Sequence, residues 1–572
     1  MSHVESAPPV VAPTRRSRRA WLPLSAIAVA LIAIAVIWLF APEQLDRVDR
    51  GTRLIFSFLL AVVAGLVVLT WFFLLGRFAL VGRLLVALLL VTAATAFGLS
   101  IRRVEFSGDM MPAFDFRWSP DRAEVLEAHR TRQRSMQGAS GLTLPAAELI
   151  ERAARASDVL EYRGPRRDGV VEGPALARDW SASPPRLAWR QPVGGGYSSF
   201  VVVGPLVITI EQRRDNEAIV AYDFDTGRER WIHEYPALFS EKLGGDGPRA
   251  TPMVHDGKLY SLGATGVLIC LELATGRNLW SLNILEQNAS GNLDWGMSGS
   301  PLVYDGLVLV NPGNQKGTAD SRSIAAFDLA DGKPLWSNGT SKSGYASPVL
   351  ATLAGLRQII IFDAAGLAGH DALDGRELWR APWTSSHDIN AAQPVILADD
   401  RLLISSSSGT ALIHVVRDGD RWTADEKWKS PKLKCGYANP IVYEGYVYGL
   451  DDTILACLEV ASGKQLWKSR GGQYGHGQIL LSHDLLVVLA ETGELALVDA
   501  SPKAFRELGR IQAIEGKTWN NPVLVVPRIF VRNHLEMAAY DLPTVPTSGD
   551  TGDSPAQAAD ETTSPSHAAS QP

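Results

Sequence analysis

Eight short stretches of this chain set large aromatic, amide or basic side chains just ahead of an apolar, β-rich run. They read "GGYSSF", "GPRATP", "DWGMSGSP", "SGYASP", "DINAAQP", "CGYANP", "QYGHGQ" and "KTWNNP". Between them they supply Tyr197, Arg249, Trp295, Tyr345, Asn390, Tyr437, Asn439, Tyr474, His476, Trp519 and Asn520. Aromatic faces with a few convergent donors bind small planar or extended ligands. The same side chains can also fill a channel and satisfy its backbone, with His476 as a hydrogen-bonded pore histidine. Other chemistry finds little support. "GATG" and "GGDGPR" lack the strand–helix context of a phosphate loop. His233, His255, His370, His387, His414 and His483 show no metal-ligand spacing. Ser298 in "GMSGS" precedes a strand and opens no helix, so the turn of a serine-hydrolase nucleophile is missing. Cys270, Cys435 and Cys457 form no C-x-x-C pair and permit one bridge at most.

The elements that must position these stretches repeat. "DTGRERW", "ATGRNLW", "ADGKPLW", "LDGRELW" and "ASGKQLW" are one corner written five times, a Gly turn leading into a strand that closes on Trp. The corner tryptophans are Trp189, Trp231, Trp280, Trp336, Trp379, Trp428 and Trp467, 39 to 56 residues apart, with a degenerate corner near Gly509. Units of this length with three or four β-rich runs predict propeller blades. Their alternating or β-branched runs exclude helical repeats. Asp256–Gly257 and Asp305–Gly306 are hairpin turns between strands. The count is eight. The last unit lacks a closing strand, and "PPRLAWRQPVG" is such a strand with nothing before it, so their pairing would close the ring. Seven blades is the alternative, because "VVRDGDRWTADEKW" has lost its Gly turn.

The expected organisation is a basic tail over 1–20, three transmembrane helices within 21–103, a connector over 104–188, an eight-bladed all-β propeller over 189–542 and a disordered tail over 543–572. The three spans are Trp21–Phe40, Leu54–Leu75 and Phe78–Leu99, each long enough for a hydrocarbon core. Arg15, Arg16, Arg18 and Arg19 place the N-terminus in the cytoplasm of a bacterial inner membrane. Three crossings then put the propeller in the periplasm. The connector holds two helical stretches, "SPDRAEVLEAHRTRQRSM" and "PAAELIERAARASDVL", and acts as a spacer from the bilayer. A net charge of −6 gives no electrostatic reason for nucleic acid as a partner.

The Gly-to-Trp corners resemble the tryptophan-docking repeats of pyrroloquinoline-quinone-type (quinoprotein dehydrogenase-like) eight-bladed propellers. That family also includes the non-enzymatic outer-membrane assembly lipoprotein B. "YRGPRRDGV" at 162–170 is similar to the "W/F-RGP-x-RDG" motif of its bacterial members. The resemblance implies that the seven tryptophans pack between neighbouring blades. For the enzymatic branch it implies pyrroloquinoline quinone with Ca²⁺, stacked on Trp295 or Trp519. The residues show neither adjacent cysteines nor a recognisable calcium-ligand set. The first functional expectation is therefore a membrane-anchored scaffold binding envelope proteins or a small or extended ligand at the propeller mouth. The alternative is a pyrroloquinoline-quinone-dependent membrane dehydrogenase. The sequence does not decide whether the chain is an enzyme.

Overall fold

The computed structural model describes residues 21–39, 50–76, 78–108, 110–137, 157–313 and 322–545. The basic tail, most of the second expected connector helix and nearly all of the acidic C-terminal tail lie outside the described residues.

Eight four-stranded antiparallel sheets form the blades of a closed ring, which settles the count in favour of eight. Blade 1 opens at Val201–Val203, and blades 2 to 7 follow in chain order. Blade 8 takes Val523–Val525, Arg528–Arg532 and Glu536–Asp541 from the end of the fold and Arg186–Pro192 from its beginning. In that closing pair Trp189 faces Ala539 and Gln191 faces Met537. Blade 5 kept four strands without its Gly corner by lengthening the last two into a ten-residue hairpin, Gly409–Asp418 with Arg421–Ser430. The inner strands are buried on both faces and so read as continuous apolar runs. Ile208, Ile210 and Ile219 of blade 1 pack with Leu259, Ile269 and Leu271 of blade 2, and similar clusters fill the other blade interfaces.

The corner motif works between blades. Five of the seven tryptophans cover the corner glycine of the next blade, as Trp189 does Gly227, Trp231 does Gly276 and Trp428 does Gly463, while Trp467 covers none of the described glycines and donates to Ser501 O at 2.9 Å. A docked indole N–H donates to a carbonyl beside that corner, Trp189 to Phe224 at 3.1 Å and Trp428 to Val460 at 2.8 Å. The glycine has φ near +70° and no Cβ, so the ring lies directly on the backbone. Trp379 departs from the pattern. Facing the blade that lost its corner, it donates to Gln358 Oε1 at 2.7 Å.

Three apolar helices precede the ring: α1 (Leu22–Leu39), α2 (Arg50–Thr70, continued as a π-helical turn to Leu75) and α3 (Leu80–Ser100). Among the described residues, two of the three expected spans are long and apolar enough to cross a membrane, Arg53–Leu75 and Leu80–Ser100, and Leu22–Trp38 is a shorter apolar helix. α3 passes directly into a hairpin of β1 (Ile101–Phe106) and β2 (Pro112–Phe116), followed by α4 (Arg122–Gln137).

The connector does not stand off from the propeller as a spacer. Arg130 of α4 is buried against Glu229 of blade 1 at 3.0 Å. Trp180 covers Gly509 and so completes the degenerate seventh corner. Val170–Val171 adds a parallel fifth strand to blade 7. These contacts cost the connector its freedom, and buried ion pairing plus ring packing offset that entropy.

Candidate functional site

The stretches ahead of each blade's inner strand converge on one end of the channel around a cavity of about 230 Å³. On one arc Trp519 lies 5.4 Å from Tyr197 and, nearly parallel, 5.8 Å from Tyr437. Trp295 and Tyr345 precede blades 3 and 4, across the ring from blades 7 and 8, and meet edge to face at 5.9 Å. Arg249 also lines the cavity, its guanidinium 5.8 Å from the Tyr197 ring. Lys517 holds its ammonium 4.3 Å over Trp519 and 5.5 Å from Tyr197. Burial lowers the pKa of both cations, while nearby carboxylates such as Glu241 oppose the shift. Arg249 keeps its proton, since arginine does not titrate in the ordinary range. Burial raises the Tyr197 and Tyr345 phenols, so both stay neutral donors.

The cavity floor is an amide network. Asn439 and Asn521 each donate to the Tyr162 hydroxyl at 3.1 Å. Asn439 also donates to Gln478 Oε1 at 3.1 Å and accepts from the Gln393 backbone at 2.8 Å. Below it the "YRGPRRDGV" segment plugs the channel. Arg167 donates to the carbonyls of Pro301 and Pro348 at 2.7 and 2.8 Å and pairs with Glu161 at 2.8 Å. Arg163 donates to Ile479 O and Asn521 Oδ1, both at 3.1 Å. Two buried guanidiniums thus satisfy carbonyls on opposite sides of the ring, as buried charge requires.

The roof is the tip of the β1–β2 hairpin, Ser107, Gly108 and Met110. The Gly108 N–H donates to Glu491 Oε1 at 2.5 Å. Glu491 also accepts from the Trp519 indole at 3.1 Å and the His476 backbone at 3.0 Å.

Of the residues singled out from sequence, Arg249, Trp295, Tyr345, Tyr437 and Trp519 line the cavity. Asn439 belongs to its floor, and His476 stands edge-on to Tyr437 at 5.1 Å. Asn390 and Asn520 are buried in the backbone, donating to Asp363 O and Ser198 O. Tyr474 points away and donates to Glu507 at 2.6 Å. Ser298 lines the cavity with its hydroxyl donated to Tyr345 O at 3.1 Å. Sequence reading missed Lys517 and Asn521, which flank Trp519 in the same "KTWNNP" string. It also missed Tyr162, Gln393, Gln478 and the hairpin tip, whose place depends on long-range docking. The three cysteines are separate buried thiols.

A calcium ion does not fit this site. No Asp or Glu is among the lining residues, and no group of three or more His, Cys, Asp or Glu converges among the described residues. Ca²⁺ takes six to eight oxygens, with carboxylates to balance its charge.

Residues 215–469 match the family described as outer membrane protein assembly factor BamB. Over those residues, just under half of its length, the chain is of the quinoprotein-like, BamB-type kind of eight-bladed propeller. One relative, the outer membrane protein assembly factor BamB of Xanthomonas campestris pv. campestris, is 32% identical over 106 residues, 18% of this chain and 24% of the relative. Another, the quinoprotein ethanol dehydrogenase of Pseudomonas putida, is 23% identical over 201 residues, 30% of this chain and 31% of the relative. The chain thus spans a third or less of these curated relatives. The quinohemoprotein alcohol dehydrogenase of Comamonas testosteroni shares the fold at a TM-score of 0.51 and 13% identity, over 74% of this chain and 86% of that one.

The inner-membrane placement, with the propeller in the periplasm, is corrected by these findings. The matched family and the Xanthomonas relative are named for the outer membrane.

Proposed function

We propose that this propeller holds a flat, anionic aromatic molecule of the quinone class in its channel chamber. The observation that supports this best is the pairing of two aromatic arcs with Arg249 in a lining that has no carboxylate, with the Lys517 ammonium just behind the Trp519 ring. Aromatic faces stack on a planar ligand, and the two cations favour negative charge on it. Pyrroloquinoline quinone meets that description. Trp519, Tyr437, Trp295 and Tyr345 would flank its rings, Arg249 would face its carboxylates, and Lys517 would add positive potential from behind Trp519. When bound it supplies the capacity for two-electron redox chemistry. The chain's own residues bind and orient it and exclude water, and binding is independent of Ca²⁺. The apolar helices α2 and α3, nearly unburied within the chain, anchor the propeller to a bilayer.

Titration of the full chain with pyrroloquinoline quinone, with and without Ca²⁺ or chelator, tests this. Saturable one-to-one binding with a shifted absorbance spectrum is expected, equal in both conditions. It should weaken about tenfold or more in Trp519→Ala and in Arg249→Gln, in line with ~1.4 kcal/mol per decade. Flat heats, or strict dependence on Ca²⁺, would sink the reading. A second reading, a protein-docking platform in the bacterial envelope, draws on the match of residues 215–469 to an assembly-factor family. Chamber-wall substitutions would leave that activity intact.

A further inference from the structure

The chamber is bounded at both ends by segments that precede the propeller in the chain, and the two boundaries are built differently. At the floor, Arg163 and Arg167 are buried and spend their donors on carbonyls of blades 3, 4 and 7. That plug is part of the ring's interior. At the roof, the hairpin is held mainly by side chains at its edge. Arg103 pairs with Asp246 at 2.5 Å, Glu105 lies 3.2 Å from His534, and Lys517 donates to Phe106 O at 3.1 Å. Arg103 remains half exposed. Among the described residues of the tip, the Gly108 N–H donates to Glu491 in the chamber wall, and a Cβ at Gly108 would sit 1.8 Å from the His476 ring. The cavity volume beneath the tip, about 230 Å³, is also below the ~300–1,000 Å³ of sites that hold drug-sized ligands.

We infer that the β1–β2 hairpin is a lid, that Glu491 is its latch, and that the chamber widens to admit a ligand when the tip lifts. This rests on the chamber being a ligand site. Glu491 gives the latch a second effect, because the same oxygen that accepts from Gly108 accepts from the Trp519 indole. Lifting the tip frees the carboxylate to shift with Trp519, so lid position and chamber-wall geometry change together. Glu491 is a positioning residue in this arrangement. β1 continues α3 without an intervening residue, so any tilt of α3 is passed to the lid.

The test reads access without any quinone, so it stands or falls apart from the ligand proposed above. Ser298→Cys puts a thiol on the chamber wall, while native Cys270, Cys435 and Cys457 are buried and give a low background. The full chain in detergent is labelled with a water-soluble maleimide, alone and combined with Gly108→Val or Glu491→Gln. Hydrogen exchange across 101–116 reports whether the tip has left its seat, and thermal unfolding confirms the ring. Labelling at least tenfold faster in both combinations, with faster exchange in the hairpin, is expected. Equal labelling rates with a displaced tip would show that the chamber opens elsewhere and overturn the lid. An undisplaced tip in both variants would overturn the latch.

Discussion

At the residue scale the fold rests on a contact between an indole and a glycine that admits no side chain. Gly463 has φ of +68°, and a Cβ there would lie 2.5 Å from the Trp428 ring. Gly257, in a hairpin turn, has nearly the same φ, +69°, with nothing within 4 Å of a built Cβ. Gly257→Ala should therefore cost only the left-handed backbone penalty, about 1 kcal/mol. Gly463→Ala adds displacement of the ring and should cost roughly 2–4 kcal/mol, approaching Trp428→Ala. Urea denaturation of the three variants checks this, and equal losses at the two glycines would deny the docking contact its role. This contact was legible in the sequence because it recurs at a fixed offset. Trp180 was not. It fills the corner at Gly509 from outside the repeat, and no local pattern marks a tryptophan whose partner lies far along the chain.

At the element scale the hairpin is the part that sequence left blank. Its seat is a set of charges from separate elements: Arg122 of α4 at 2.6 Å from Glu105, His534 of blade 8 beside it, and Lys517 nearby. Burial would raise the Glu105 carboxyl, but hydrogen bonds from His534 and Arg122 outweigh it and hold the pKa far below the usual range. Burial lowers the His534 pKa, with Glu105 opposing and Arg122 and Lys517 adding to the fall. At neutral pH the imidazole is thus neutral, and Arg122 is the cation that keeps Glu105 ionised. Both groups bind fewer protons in the folded chain than when free in water, so the stability of the packed arrangement around them rises with pH. The His534 contribution is complete above about 6.5 and erodes as pH falls through the lowered folded value. The Glu105 contribution follows only in stronger acid. Hydrogen exchange of 101–116, corrected for intrinsic rate, should be faster at pH 5 than at pH 7.5. His534→Gln should flatten that dependence, and an unchanged slope in this variant would assign it to other groups. Segments such as this one, and the Arg163–Arg167 plug, are invisible to repeat counting because their partners are rim side chains hundreds of residues away. The plug was flagged only by the likeness of "YRGPRRDGV" to a family motif, and nothing in the sequence flagged the hairpin.

At the scale of the whole molecule the ring turns a local defect into one of two kinds. Each blade packs on two neighbours, so a wound inside the ring is bridged from both sides. The seam in blade 8 differs, because Arg186–Pro192 reaches it from the other end of the fold and pairs only with Glu536–Asp541. Trp189 carries that strand's contact to blade 1, through the Gly227 corner and the Phe224 carbonyl. Trp189→Ala therefore loosens both the interface between blades 8 and 1 and the strand that shuts the ring. Trp428→Ala loosens only the interface between blades 5 and 6. Both truncations lose about 3–5 kcal/mol of packing, yet their reach should differ. In Trp428→Ala, faster hydrogen exchange should stay within blades 5 and 6. In Trp189→Ala it should appear at 201–203, at 536–541 and at the inner strand 523–525, three places that meet only across the seam. An open ring exposes two blade faces that have no other partner. Exchange confined to 186–192 would mean that the seam holds without its tryptophan, and that closure rests on the backbone ladder alone.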